Sequence, residues 1–286
     1  MTPPVQPPPV TWRPPSDHLR LRDGLWRAES VSPVAYPEAG NEICYQVEDE
    51  SYWFRHRMDC IRAVVRQFPP AGTLYDIGGG NGYVAAALQA ENWNVALVEP
   101  GNGARNALRR GVGQVIWATL EDARLYPQSL PAAGAFDVLE HISDDLAFLR
   151  RIRASLRPGG RFYCTVPAFP ALWSDEDVHA GHSRRYTRQT IIQTLNTAGF
   201  TVEFSSYFFA WLTLPVFLLR ALPTRLRLGN KTAVRTSETL RADHHLPALL
   251  SGLVGHAHEW ELARLRARRP LPFGSSLLCV AHANLS

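Results

Sequence analysis

Lysine is almost missing from this chain. Of 30 basic side chains in 286 residues, only Lys231 is a lysine, so the net charge of +4 is carried by arginine. The arginines form short groups at Arg150, Arg151 and Arg153, and at Arg264, Arg266, Arg268 and Arg269. At helical spacing such groups describe a solvated face, and a nucleic-acid partner is not expected. Cysteine is scarce: Cys44, Cys60, Cys164 and Cys279 lie far apart and make no C-x-x-C pair. That argues against a zinc knuckle or a disulfide framework and fits a reducing, cytoplasmic setting. The chain opens on prolines and lacks a charged stretch followed by an apolar run, so no signal peptide is expected. No apolar run reaches the ~20 residues of a spanning helix, and no internal repeat is visible.

A hydrophobic content of 45% supports a full core. Residues 1–16 carry prolines at 3, 4, 7, 8, 9, 14 and 15, and residues 16–40 show no firm periodicity. They are expected to form a disordered tail, because proline fixes φ and lacks a donor. One domain is expected over 41–286.

The chain is organised around Asp76-Ile77-Gly78-Gly79-Gly80-Asn81-Gly82. Residues 73–77 read as a strand and 83–89 as a helix. Strand, glycine turn and helix N-terminus together make a ready site for a polar or anionic ligand. A dinucleotide fingerprint needs a third glycine at position 83, where Tyr83 stands. That disfavours a nicotinamide-dependent oxidoreductase. An opening carboxylate followed by Gly78, Gly80 and Gly82 suits a ligand with a cationic amino-acid end and no pyrophosphate. A second strand, 94–99, ends in Glu99, about 20 residues beyond the loop, where one carboxylate accepts both hydroxyls of a ribose.

Further strands are expected at 114–118, 131–136, 161–166, 200–207 and 275–283. Helices are expected at 46–68, 103–110, 144–156, 187–198 and 246–267. Arg157-Pro158-Gly159-Gly160 stops the helix before the fifth strand. The segment 173–186 is polar and charged, with His179, His182, Arg185 and Tyr186. Residues 205–219 hold no charge but are interrupted by Pro215, so lid, core or peripheral membrane contact are all open readings. Residues 223–243 read as a loop. Glu140, His141, His179 and His182 are also an acid and histidine set of the kind that binds metals, although no metal is assigned.

The loop 76–82, Glu99, the Asp137–Ile142 segment and Pro158-Gly159-Gly160, in that order, resemble the class I methyltransferases that use S-adenosylmethionine. The resemblance covers roughly residues 46–284. It implies a three-layer, Rossmann-like α/β fold with a seven-stranded sheet, an N-terminal helix over the cofactor cleft, and cap or lid insertions at about 167–187 and 208–270. It also implies S-adenosyl-L-methionine as cofactor, held by Asp76, Gly78, Gly80, Gly82, Glu99, Pro100, Leu120, Glu121 and Asp137, with Asp122 an alternative to Glu121 at the adenine. His141 is then expected beside the methyl donor, as a general base or as a brace of the turn. His182 and Tyr186 are expected to contact the acceptor or to pin the cap loop. The acceptor is expected to be a small molecule with an oxygen, nitrogen or carbon nucleophile. A non-catalytic S-adenosylmethionine-binding protein and a metal-assisted enzyme are the alternatives.

Overall fold

The computed structural model describes residues 12–32, 38–227 and 248–284. Its centre is a parallel sheet: β3 (Leu74–Ile77), β4 (Val95–Val98), β5 (Val115–Trp117), β6 (Leu130–Phe136) and β7 (Leu156–Pro167). Leu74-Tyr75-Asp76-Ile77 and Val95-Ala96-Leu97-Val98 are buried at every position. Near-continuous burial is what a strand covered on both faces requires. The last two strands, β8 (Phe200–Phe208) and β9 (Ser276–Ala283), close the other edge, with β9 antiparallel to both β7 and β8.

The sheet has nine strands where seven are expected. The full order is β1-β2-β5-β4-β3-β6-β7-β9-β8. The two additional strands, β1 (Leu19–Arg22) and β2 (Leu25–Ala28), form a hairpin, and β2 pairs in parallel with β5. The expected tail over 1–40 is therefore wrong for residues 12–32. Asp23 and Gly24 both take positive φ in the hairpin turn, the left-handed pair that suits a two-residue connection. Leu19 and Leu25 are buried beneath it. Ser16 Oγ donates to the Ala123 carbonyl at 2.7 Å, and Tyr126 N–H donates to the Pro15 carbonyl at 2.8 Å, which tie the preceding residues down. Pro3 to Pro9 lie outside the described residues.

Of the expected helix over 46–68, residues 46–47 end a separate helix, α1 (Glu38–Val47), and the body is α2 (Tyr52–Gln67). Ser51 separates them: its hydroxyl accepts from the Trp53 and Phe54 amides, which caps α2. The remaining elements follow the expected order: α3 (Tyr83–Gln89), α4 (Gly103–Arg109), α5 (Leu120–Ala123), α6 (Asp145–Ser155), α7 (Asp175–His179) and α8 (Arg188–Thr197). After β8 come α9 (Thr213–Val216), α10 (Leu222–Arg225) and, later, α11 (Ala248–Arg266). Apolar side chains of α2, α3, α4 and α11 fill one core, and those of α5, α6 and α8 fill the other. The sheet lies between them, giving three layers.

A buried polar tie holds α11 to α2. Glu261 accepts from His56 Nε2 at 2.8 Å and from the Phe209 and Ala210 amides at 2.9 and 2.6 Å. The acid found among apolar positions of this helix thus satisfies the backbone where β8 ends. The uncharged run 205–219 divides: residues 205–208 finish β8, and the second half of the run leaves Leu214, Leu218 and Leu219 exposed. No helix among the described residues is long and apolar enough to cross a membrane. Of the expected loop 223–243, residues 228–243 lie outside the described residues.

Strand order reverses between β3 and β6. At such a switch point the loops leaving the C-terminal strand ends diverge and open a crevice. Asp76, Glu99 and Asp137 all stand at or just beyond the C-terminal ends of β3, β4 and β6.

Candidate active site

The glycine loop leaves β3 through three left-handed residues, Gly78 at φ +71°, Gly80 at +54° and Gly82 at +74°. Gly82 is forced: a Cβ there would lie 2.7 Å from Ala107 Cβ of α4. Gly80 is different, because a Cβ would meet nothing closer than Asn41 Oδ1 at 4.0 Å. Its surface faces open space, as a cradle for a ligand must. Asn81 pins the loop, donating to the Asn41 carbonyl at 2.7 Å and to Glu48 Oε1 at 3.2 Å, and accepting from Asn106 at 3.0 Å. No sequence signal singles out Asn41 or Asn81 for this role.

Asp76 is 1% exposed, and neither carboxylate oxygen has a hydrogen-bond partner. Burial, with some help from Glu99 and against Arg57, pushes its pKa up to about 7. A buried carboxylate left without partners is costly, and a cationic ligand removes that cost. Glu99 accepts from the Gly80 amide at 3.0 Å and the Gly101 amide at 2.8 Å, so its carboxylate is fixed at the crevice. Burial raises its pKa, opposed by these two amides. Pro100 presents its carbonyl to Trp117 Nε1 at 2.6 Å, which braces the same turn.

Arg57 of α2 reaches across the crevice to Asp137, with Nε 2.5 Å from Oδ2. Thr165 donates to the other Asp137 oxygen at 2.8 Å. Asp137 has φ +57°, an uncommon conformation for a non-glycine residue. Arg57 is 6% exposed, and its charge acts on Asp76 and Glu140 as well. It is the cation around which the site's carboxylates are arranged.

The expected adenine acids, Glu121 and Asp122, both have partners within the protein. Glu121 is exposed and pairs with Arg151 of α6 at 3.0 Å. Asp122 accepts from Ser32 N at 2.7 Å and from Thr119 Oγ1 at 2.7 Å. Burial opposes ionisation of Asp122, but the hydrogen bonds from Ser32 and Thr119 hold its carboxyl below the usual range. Leu120 is a core side chain, 5% exposed.

Beyond Asp137 a short helical turn, Leu139–His141, carries Glu140 and His141 towards the cap loop. Glu140 is 1% exposed, and its Oε2 has no hydrogen-bond partner. Burial, then the charge of Asp137, pushes its carboxyl well above the usual range. His141 and His182 meet edge to face, ring centroids 4.9 Å apart. Burial and the neighbouring His182 lower the His141 pKa to about 4, so its imidazole is neutral at neutral pH. His182 Nδ1 lies 2.9 Å from Asp177 Oδ1, and Arg185 Nε lies 2.7 Å from the same oxygen. Burial opposes ionisation of Asp177, but these hydrogen bonds keep its carboxyl below the usual range. Ser183 donates through both N–H and Oγ to the Glu140 carbonyl, at 2.7 and 2.8 Å, fastening the cap loop to the strand end.

His179, the fourth member of the sequence set, does not join. It is exposed, and its Nδ1 lies 2.6 Å from the Asp175 carbonyl in its own helix. Tyr186 is buried, its hydroxyl donating to Asp145 Oδ2 at 2.7 Å. Burial and Asp145 raise its pKa far above that of a free phenol. Of the two readings open for Tyr186, this geometry matches the pin of the cap loop.

A family model for a methyltransferase domain matches residues 52–204. A Mycolicibacterium smegmatis protein described as a probable S-adenosylmethionine-dependent methyltransferase is 25% identical over 184 residues, 61% of this chain and 69% of that one. The ubiquinone/menaquinone biosynthesis C-methyltransferase of Rubrivivax gelatinosus is 34% identical over 128 residues, 41% of this chain and 49% of that one. The chain therefore spans between half and about two thirds of the curated relatives it matches. Among solved structures, Haemonchus contortus phosphoethanolamine N-methyltransferase 2 in complex with S-adenosyl-L-methionine shares the fold, with TM-score 0.51, 16% identity, and coverage of 87% of this chain and 58% of that one. The family match over more than half of the chain, on a sheet whose switch point carries Asp76, the glycine loop and Glu99, establishes that the chain belongs to the class I methyltransferases that use S-adenosylmethionine.

Proposed function

We propose that this chain methylates a small-molecule acceptor, with the methionine end of S-adenosylmethionine over Gly80 and Asp76 and its ribose on Glu99. The observation that carries this reading is the buried, unpartnered Asp76 carboxylate beside an open glycine surface. The cofactor's ammonium group supplies the missing partner, and its sulfonium supplies an electrophilic methyl group. The protein's task is then mainly to position the acceptor's nucleophile. His141 and His182 stand on the acceptor side, carried by the turn after β6 and by the cap loop. Tyr186 braces that loop and does not meet the acceptor. A small-molecule acceptor is supported by the name of the Rubrivivax relative and by the pairing within the protein of several members of both arginine groups. Arg151 holds Glu121, Arg153 holds the Gly199 carbonyl, and Arg268 holds Gln67.

Calorimetric titration with S-adenosylmethionine and its product S-adenosylhomocysteine tests the cofactor half. Both are expected to bind, and a nicotinamide dinucleotide is not. Transfer of a labelled methyl group into a low-mass extract, and not into RNA or protein, tests the acceptor half. Absence of cofactor binding would sink the reading. Glu99→Ala removes a charged acceptor from the ribose position. Binding is expected to weaken by about 1.5–3 kcal/mol, which is roughly 10–150-fold. An unchanged affinity would refute the ribose assignment.

Asp76 makes cofactor binding depend on pH. Its raised pKa means that the free protein protonates it near neutrality, whereas the bound ammonium favours the carboxylate. Affinity is therefore expected to rise about tenfold from pH 5.5 to pH 7, below the range in which an α-ammonium group loses its own proton. Stability of the cofactor-free protein runs the other way. The contribution from this group is complete below the unfolded pKa, near 4, and is lost as pH rises through about 7. Asp76→Asn should flatten both profiles. A wild-type affinity that stays level over this range would remove Asp76 from the cofactor site.

A further inference from the structure

We infer that Glu140, His141 and His182 bind a divalent transition-metal ion, whose open positions take an oxygen atom of the acceptor. The inference rests on the proposed acceptor position of this trio and names the chemistry that acts there. Among the described residues these three offer one ligand atom each, all within 4.8 Å of one another. Ligand atoms around a zinc ion with bonds of ~2.0–2.1 Å stand about 3.3 Å apart, so a small contraction through side-chain rotation suffices.

Three features point to a metal and away from a simple polar cluster. Glu140 is buried, and its Oε2 has no hydrogen-bond partner, although His182 Nε2 lies only 4.0 Å from its Oε1. A buried polar atom left in this way calls for an explanation. Second, the geometry sets the histidine tautomers. The Gly181 carbonyl, 3.3 Å from His141 Nδ1, can only accept, and so can the carboxylate of Asp177, 2.9 Å from His182 Nδ1. Both rings therefore place a hydrogen on Nδ1, which leaves Nε2 as the atom through which a neutral imidazole ligates. Third, His182 has the outer support typical of a metal-binding histidine. Asp177 orients it, and Asp177 is itself held by Arg185 and by the Ser174 amide at 2.9 Å.

Two imidazoles and one carboxylate suit zinc, cobalt, manganese or iron more than magnesium or calcium. Three protein ligands leave room for exogenous ones, as in sites that act on substrates. An ion there would orient a hydroxyl or enol oxygen and lower its pKa, so the acceptor class is an oxygen-bearing small molecule. The general-base role expected for His141 then gives way to ligation.

Cobalt(II) is the probe. Full-length protein, stripped with a chelator and dialysed, is titrated with Co2+ while the visible absorption is recorded. Wild type is expected to take up an equimolar amount with the spectrum of a low-coordinate nitrogen and oxygen site. Glu140→Gln and His182→Gln should each weaken uptake by at least about 10²-fold. His179→Gln, outside the trio, should bind Co2+ like wild type. Circular dichroism checks the fold of each variant; if Glu140→Gln does not fold, the partly exposed His182→Gln decides. No saturable uptake by wild type, or uptake unchanged in both ligand variants, overturns the inference. Parallel calorimetry with S-adenosylmethionine separates the two readings. Cofactor binding without metal binding sinks only the metal site, whereas loss of cofactor binding in wild type sinks the methyltransferase reading.

Discussion

Arg57→Met is expected to destabilise the cofactor-free protein by about 3 kcal/mol, the low end for breaking one side of a buried ion pair. Arg57 is a nearby cation for several carboxylates of the site. It pairs directly with Asp137 at 2.5 Å, and its charge favours the ionised forms of Asp76 and Glu140. Methionine fills a similar volume and keeps the contact with Trp53, so packing changes little. What changes is the charge. Asp137 retains the Thr165 hydroxyl and partial solvent contact, its side chain being 25% exposed, which moderates the loss. Asp76 and Glu140 are pushed further towards their protonated forms. Denaturant unfolding should register the loss as a lower midpoint at unchanged slope. Arg57→Lys should recover only part of it, since a lysine cannot reproduce the guanidinium geometry. A change below about 1 kcal/mol in the methionine variant would mean that the pair contributes no more than a surface ion pair.

Little of Arg57's role could be read before the fold was known. The periodicity of Trp53, Met58, Ile61 and Val65 marks the core face of a helix, and a neighbouring arginine on such a pattern reads as solvated. Only the reversal of strand order, which brings Asp137 beneath α2, turns that arginine inward. The opposite holds at Asp76–Gly82 and Glu99. There the chemistry is local, because positive φ selects glycine and a carboxylate at a strand end faces the crevice wherever the strand lies in the sheet. Those residues were legible from spacing alone.

The β1–β2 hairpin has a local sequence signal. Asp23-Gly24 stands between Leu19-Arg20-Leu21-Arg22 and Leu25-Trp26-Arg27-Ala28, the short-range pattern for a two-residue turn. The prolines just before it are equally the mark of a disordered tail. The break between α1 and α2 also had its signal, Ser51 ahead of Tyr52-Trp53-Phe54. In the cap loop, sequence could supply residue types but not their directions. Nothing in the spacing tells that Asp177 turns to His182 and Arg185, that His179 turns away, or that the Tyr186 hydroxyl meets Asp145. Those orientations depend on how α7 and the loop fold back on the turn after β6.

His141→Ala should lower turnover by roughly 10²–10⁴-fold while leaving cofactor affinity within about twofold. The two readouts separate because Asp76, Gly80 and Glu99 lie on β3 and β4 and their loops, whereas His141 follows β6. An acceptor held by His141 and His182 loses its alignment when one of them is removed, and misplacement of the reacting atom by about 1 Å already costs about 10²-fold. His141→Gln distinguishes the ways in which the ring can act. Glutamine keeps hydrogen-bonding capacity but neither accepts a proton at neutral pH nor replaces imidazole as a metal ligand. If His141 only braces the turn through the Gly181 carbonyl, the glutamine variant should turn over near the wild-type rate. If it ligates an ion or takes a proton, glutamine should be nearly as slow as alanine. Cobalt uptake then decides between those two, since a ligand variant loses the metal and a variant that lacks only a base retains it. Near-normal turnover in the alanine variant would remove His141 from the acceptor side altogether.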